Sequence, residues 1–219
     1  SDKTTLAIAV VSSREFVSNF IESHDILVPL MAAKDWDENS DTLLINEDVY
    51  DADNKKWVRN VSPPKRVVPS MQEAYKVFLG MLGVSKDKES NFVTLSIEHL
   101  SPKIAKQWVQ WLVEDINSTL KARDVAEARR SISYLYSQLE ATSIADMQAI
   151  FFQLIEEQTK TIMFSEVRDE YVFKTIDAPV VPELRSKPSR VFVVFLGFLL
   201  GGVMGLGGVL VRHFAIDGT

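Results

Sequence analysis

The segment from residue 103 to residue 178 contains neither glycine nor proline over 76 consecutive positions. These two residues most often end helices and form tight turns, so a run without them favours a long helix. Apolar side chains recur along it at spacings of three and four, which is typical of an amphipathic helix. One helix continuing to about Val167 would be roughly 100 Å long, more than a compact domain of this size can cover. The segment must therefore project beyond the domain or fold back on itself, and we expect the bend at residues 141–143.

The start of this helical segment is marked by Ser101 and Pro102, a preferred N-cap followed by a proline at the first helical position. Its middle part, residues 121–131, is rich in polar side chains. We expect this part to be solvated, and its apolar stripe needs either a returning helix or another subunit to cover it.

The first hundred residues mix helix and strand patterns. Two capping boxes, Ser12-x-x-Glu15 and Ser70-x-x-Glu73, predict short helices, and Gly83 is expected to close the second helix in the left-handed conformation. Residues 4–11 are strand-like, and apolar residues alternate with polar ones at 93–98. Residues 26–33 and 43–45 fit either edge strands or buried loops.

These patterns predict an α+β protein. We expect an α/β base domain at residues 1–100, truncated at its N-terminus because the chain starts with Ser rather than Met, and a long helical extension at 101–170. Alternation at 171–176 predicts a return strand, which is followed by a proline-rich connector to residue 190, an apolar helix at 191–211 and a short tail at 212–219.

Residues 191–211 contain no charge and no hydrogen-bonding side chain. A helix of these 21 residues would be about 30 Å long, the thickness of the hydrocarbon core of a bilayer, so a transmembrane helix is predicted. Small residues allow helix backbones to approach closely in a membrane. A partner helix is therefore expected to pack on the glycines of this run, namely Gly197, Gly201, Gly202, Gly205 and Gly208.

Three prolines precede this run, Pro179, Pro182 and Pro188. Proline fixes φ and removes a hydrogen-bond donor, so the segment is predicted to be a stiff, extended connector. Its composition fits a plain linker and a contact site equally well.

Charge and composition argue against several function classes. With 24 Lys+Arg, 30 Asp+Glu and a net charge of −6, the chain lacks the basic surface that binds nucleic acid. It has no Cys, which excludes disulfides, thiolate nucleophiles and cysteine-ligated metals. The acids that follow Asp48 lack the glycine and glutamate that an EF-hand loop requires. We therefore expect neither a metal nor a cofactor.

Catalysis is also not expected. The sequence contains no phosphate-binding loop, no HExxH motif and no GxSxG nucleophile elbow. The adjacent acids Glu114-Asp115 and Glu156-Glu157 could in principle act as an acid and a base, but neighbouring residues on a helix point in different directions.

Four stretches resemble the Wzz-type chain-length determinants, the polysaccharide co-polymerases of Gram-negative inner membranes. They are Ser101-Pro102 followed by AKQWVQWLVEDIN, the helix EARRSISYLYSQLEAT, the return segment YVFKTIDAP, and Lys187-Pro188 leading to Leu200-Gly201-Gly202 and Gly205. The likeness extends over nearly all of the chain. It implies an α/β base domain on the periplasmic face of the membrane, a long helix rising from it, and protomers assembled into rings.

The resemblance further implies a non-catalytic function in controlling the chain-length distribution of O-antigen or a similar surface glycan. The expected partners are further copies of the chain in a ring, a Wzy-type polymerase, the membrane and the lipid-linked glycan. The expected location is the bacterial inner membrane, with the bulk of the chain in the periplasm. A second hypothesis from another class is a membrane-tethered helical adaptor that docks a protein partner and has no glycan function.

Overall fold

The computed structural model describes residues 3–181, 194–195 and 198–205. The chain divides into two compact units, Ser1–Val181 and Pro182–Thr219. The helices of the first unit are α1 (Lys3–Val11), α2 (Arg14–Ser23), α3 (Leu27–Met31), α4 (Met71–Met81), α5 (Pro102–Ala141) and α6 (Ala145–Val167). Its strands are β1 (Ala33–Asp37), β2 (Thr42–Ile45), β3 (Tyr50–Asp51), β4 (Lys56–Trp57), β5 (Leu82–Lys86) and β6 (Val93–Ile97).

The strands form three separate antiparallel pairs, β1–β2, β3–β4 and β5–β6, each with only two strands. The hydrophobic core of the first unit lies between the helices instead. Phe20, Phe78, Trp108, Leu112 and Ile116 are all almost fully buried and come from α2, α4 and the first half of α5. The described residues are thus mixed helix and strand, and helices supply most of the core.

The strand expected at residues 4–11 is helix α1. Ala7 and Val11, one helical turn apart, have no exposed surface, and α1 packs against α5. Burial of this helical face overrides the strand preference of the β-branched residues, as tertiary packing often does. Residues 26–33 are likewise largely helical, as α3.

The capping signals locate the helix starts well. The hydroxyl of Ser70 accepts from the Glu73 N–H, and that of Ser101 accepts from the Ile104 N–H, both as expected. Helix α2 begins one residue later than the first capping box predicts, because Ser13 is its N-cap.

The prediction for Gly83 is wrong. Helix α4 continues directly into β5, which contains Gly83, and none of the described glycines has positive φ. Gly83 faces Ser96 in the β5–β6 ladder. A Cβ added to Gly83 would lie 2.3 Å from the Ser96 hydroxyl oxygen, so a larger residue here would require the Ser96 side chain to move.

The expected bend in the long helical segment is confirmed. Helix α5 ends at Ala141, α6 begins at Ala145, and α6 packs back along α5 as a helical hairpin. The Gln148 side-chain amide donates to the Thr142 carbonyl across the turn at 3.0 Å. Helix α5 is about 60 Å long, and α6 returns along about 35 Å of it.

The return segment that follows α6 is not a strand, contrary to the prediction. The Asn117 side chain provides the hydrogen bonds that a neighbouring strand would have supplied. Its Oδ1 accepts from the N–H groups of Val172 (2.8 Å) and Phe173 (2.9 Å), and its Nδ2 donates to the Phe173 carbonyl (3.0 Å). Tyr171, Val172 and Phe173 pack against the core. One buried amide thus fixes the return segment to α5.

The predicted transmembrane helix requires a correction. Across residues 3–181, 194–195 and 198–205, the structure has no helix with the length and hydropathy that a membrane crossing needs. Of the predicted helix at 191–211, the structure describes residues 194–195 and 198–205. The rest of 191–211 and the expected tail at 212–219 lie outside the described residues.

Substituting Asn117→Ala should lower the free energy of unfolding by about 2–4 kcal/mol, because three backbone groups of the return segment lose their partner at once. Urea denaturation of the 219-residue chain measures this. Ser118→Ala is the matched control, since the Ser118 hydroxyl donates only to the Asp115 carbonyl of its own helix. Equal stability of the two variants would mean that the Asn117 hydrogen bonds do not hold the return segment to α5.

Candidate protein–protein interface

Of the glycines and prolines singled out in the sequence, the structure describes Gly201, Gly202, Gly205 and Pro179. Around Gly201, Gly202 and Gly205, an added Cβ would meet no other described heavy atom within 4 Å. Gly197 and Gly208 lie outside the described residues, as do Pro182 and Pro188. Pro179 is half-buried in the irregular segment that ends the first unit.

The titratable groups of the first unit pair with one another to join its elements. His24 Nε2 lies 2.9 Å from Asp115 Oδ2, and the imidazole stacks on Trp111 with ring centroids 4.3 Å apart. This contact joins the end of α2 to α5. It also gives Asp115 a partner, so the Glu114-Asp115 pair is not a free pair of acids. No cluster of three or more potential metal ligands occurs among the residues that the structure describes.

A second polar cluster joins α1, α5 and the return segment. Lys3 Nζ lies 2.6 Å from Asp124 Oδ2 and donates to the Tyr171 hydroxyl (2.8 Å), which donates in turn to Asp124 (2.6 Å). Burial alone would raise the pKa of Asp124, but the hydrogen bonds from Lys3 and Tyr171 outweigh it and lower that pKa. The carboxylate therefore stays charged and holds the three elements together.

His99 is also a structural residue. Its Nε2 donates to the Pro29 carbonyl (3.1 Å), and its Nδ1 accepts from the Ser101 N–H (3.0 Å). This arrangement requires the neutral imidazole, and burial lowers the pKa of His99 below its ordinary value of 6.5.

The inner side of α6 forms the seam of the hairpin. Its residues recur at alternating spacings of three and four and are buried or half-buried along α5, as in a coiled coil. They are Gln148, Phe151, Ile155, Gln158, Ile162 and Ser165. The facing residues of α5 include Ala128, which is 1% exposed and allows the two backbones to approach closely. We call these six residues of α6 the inner stripe.

A second stripe runs beside the first, displaced by one residue along α6. It has the same alternating spacing but is exposed or half-exposed. We call Met147, Ile150, Leu154, Glu157, Thr161 and Phe164 the outer stripe. Ile150 is 50% exposed and Phe164 is 61% exposed. Four of its six residues are large and apolar, so this face has the composition of a helix–helix contact but no described helix on it.

Large apolar side chains also lie elsewhere around α6. Phe152, Met163 and Val167 are exposed on the other sides of the helix. A helix with large apolar side chains on several sides commonly packs against more than one neighbour. Helix α5 covers only one side of α6. The arrangement suits contact with another helix, and the hairpin is therefore the candidate interface.

From the sequence alone, the apolar residues of α6 are predicted to form a single series at spacings of three and four. Ile150 and Leu154 belong to the outer stripe, whereas Phe151 and Ile155 belong to the inner one. The signal was present in the sequence, because a helix with one partner needs only one series of three-and-four spacings. Two such series, offset by one residue, indicate two helical neighbours.

No protein-family model matches the chain, and a search of curated proteins found no match either.

Two isoleucines on α6 give a matched test of the stripes. Ile155→Ala should lower the free energy of unfolding by about 2–4 kcal/mol, because Ile155 is 8% exposed in the seam. Ile150→Ala should cost well under half as much, since that side chain is half-exposed in a single copy. Chemical denaturation at the lowest practical protein concentration gives both values, and equal losses would contradict the assignment of inner and outer stripes.

The His99 hydrogen bonds predict a pH dependence of stability. The folded state favours neutral His99, so its contribution is complete above pH 6.5 and is lost as pH falls through the lowered pKa. The wild-type chain should therefore lose more stability between about pH 7.5 and pH 5 than the His99→Gln variant, which has no imidazole to protonate. Denaturation curves at both pH values measure the difference, and parallel losses would refute it.

Proposed function

We propose that the chain is a non-catalytic regulator of the chain-length distribution of a surface polysaccharide, the O-antigen of lipopolysaccharide or a similar glycan. It acts as a ring of identical copies together with a Wzy-type polymerase. It operates at the bacterial inner membrane, with the bulk of the chain in the periplasm.

The observation that carries the proposal is the outer stripe of α6. A hairpin of about 60 Å with a regular apolar face on its returning helix is suited to packing beside other hairpins. Hydrophobic burial between copies would stabilise such an assembly in proportion to the area covered. The resemblance of the α5 and return-segment sequences to the chain-length determinants supplies the glycan function.

A regulator of this kind changes the outcome of polymerisation by binding, not by making or breaking bonds. The described acids fit that proposal. Asp115 pairs with His24, and Glu156 pairs with Lys160 at 2.6 Å, so both acids make contacts within their own chain. We further propose that the ring contacts the polymerase and the lipid-linked glycan that the polymerase extends.

Deletion of the gene in its native host tests the function. Surface polysaccharide from the deletion strain, separated on a gel, should lose its preferred chain length, and expression of the intact gene from a plasmid should restore it. A strain carrying Ser118→Ala on the plasmid serves as the expression-matched control.

Two outcomes would overturn the proposal. An unchanged chain-length distribution in the deletion strain would favour the adaptor hypothesis, in which the hairpin docks a different protein and no glycan is affected. Complete loss of the polysaccharide, with no shift in length, would point to a function in synthesis or export.

A further inference from the structure

One face of α5 beyond the core has a composition that complements the outer stripe of α6. It also follows the three-and-four spacing, and all its residues are exposed: Ala122, Ala126, Arg129, Ser133, Tyr136 and Glu140. We call this set the flank stripe. Three of its members are Ala or Ser, so it offers shallow positions into which bulky side chains of another helix can pack. The outer stripe of α6 consists largely of such bulky side chains.

The two stripes lie on opposite faces of the hairpin. With about 100° per residue, the outer stripe is rotated to one side of the α5–α6 seam and the flank stripe to the other. A chain with complementary surfaces on opposite faces can pack beside further copies of itself, each contact using one stripe from each copy. Such a head-to-tail contact closes into a ring when each copy is rotated by a fixed angle.

Glu157 of the outer stripe and Arg129 of the flank stripe lie at about the same distance from the hairpin turn. Glu157 is twelve residues after the first residue of α6, and Arg129 is twelve residues before the last residue of α5. In two copies standing side by side in the same orientation, these residues therefore lie at about the same distance from the hairpin turn. Each is the only charged residue near the middle of its stripe.

The wider charges of the two helices are also complementary. Helix α6 has four acids, Asp146, Glu156, Glu157 and Glu166, and one base, Lys160. Residues 121–141 of α5 have four bases, Lys121, Arg123, Arg129 and Arg130, and three acids, Asp124, Glu127 and Glu140. Lys3 pairs with Asp124 in the same chain. The outer part of α5 is thus basic where α6 is acidic, and α6 of one copy attracts α5 of the next.

Contacts within one chain leave both charges available. Lys160 makes its 2.6 Å ion pair with Glu156 rather than Glu157. Arg129 lies 4.0 Å from Glu166, and both side chains are more than 60% exposed, so this pair is long and weak. A guanidinium has five N–H donors and can contact a second carboxylate.

We propose that the outer stripe of α6 packs against the flank stripe of α5 in a second copy of the chain, with Glu157 paired to Arg129 of the neighbouring copy. Met147, Ile150 and Leu154 supply the buried apolar area, and the ion pair sets the register. The proposal rests on the self-association in the proposed function and specifies its contact.

A charge exchange tests the pair in the purified full-length chain, with self-association measured by sedimentation velocity. Glu157→Arg should weaken association by about tenfold, and Arg129→Glu by a similar factor, since each places like charges in contact. The double variant Glu157→Arg/Arg129→Glu should recover most of the wild-type affinity. Glu156→Arg is the matched control, because it makes the same charge change one residue away and outside the outer stripe.

The absence of cysteine from the sequence permits a direct test of which faces meet. Leu154 and Ser133 lie at similar heights on the outer and flank stripes. A mixture of the single variants Leu154→Cys and Ser133→Cys should form a disulfide-linked pair under mild oxidation, whereas neither variant alone should. Circular dichroism confirms that each variant folds.

Three results would overturn the contact: Glu157→Arg having no more effect than Glu156→Arg, a double variant as weak as the single ones, or cross-linking of Leu154→Cys with itself, which would mean that two α6 helices face each other. The polysaccharide gel of the deletion strain is independent of all three. If the charge exchange fails and the deletion still alters glycan length, the contact is wrong and the proposed function stands.

Discussion

The packing of α6 on α5 is the interaction on which the rest of the molecule depends. The first half of α5 lies in the core, where Trp108, Leu112 and Ile116 contact the smaller helices. Its second half packs mainly on α6, through the seam that includes Ala128 and Ile155. One helix therefore links the folded base to the surface proposed to bind other copies. A substitution in the seam is therefore expected to affect both the folded base and the surface proposed to bind other copies.

Polar contacts fix the hairpin to the base at a few points. Asn117 holds the return segment to α5 through three backbone hydrogen bonds, and Asp124 gathers Lys3 and Tyr171 at the level where α6 ends. Such buried or half-buried polar groups give little net stability when satisfied, but they specify one arrangement because leaving them unsatisfied is costly. The apolar seam provides most of the attraction, and these groups select the geometry in which the outer stripe is presented.

The sequence predicted local features, such as helix starts, better than it predicted contacts between segments distant in the chain. The caps at Ser70 and Ser101 and the bend after Ala141 were predictable because each depends on residues close together in the chain. Helix α1 and the return segment were not, since their conformations depend on burial against α5 and on the distant amide of Asn117. The spacing of the outer stripe is visible in the sequence. Only the structure shows that the neighbouring residues of the inner stripe are the ones buried against α5. The membrane helix was inferred from hydropathy alone, and the described residues contain no such helix.

A single copy leaves the outer stripe of α6 exposed, and we propose that self-association covers it. Hydrogen–deuterium exchange of the full-length chain at low and high concentration measures this. We expect exchange to slow with concentration across residues 147–164 and 122–140, while α2 and α4 in the core stay unchanged. Identical exchange at both concentrations, in a chain that sedimentation shows to be monomeric throughout, would contradict it.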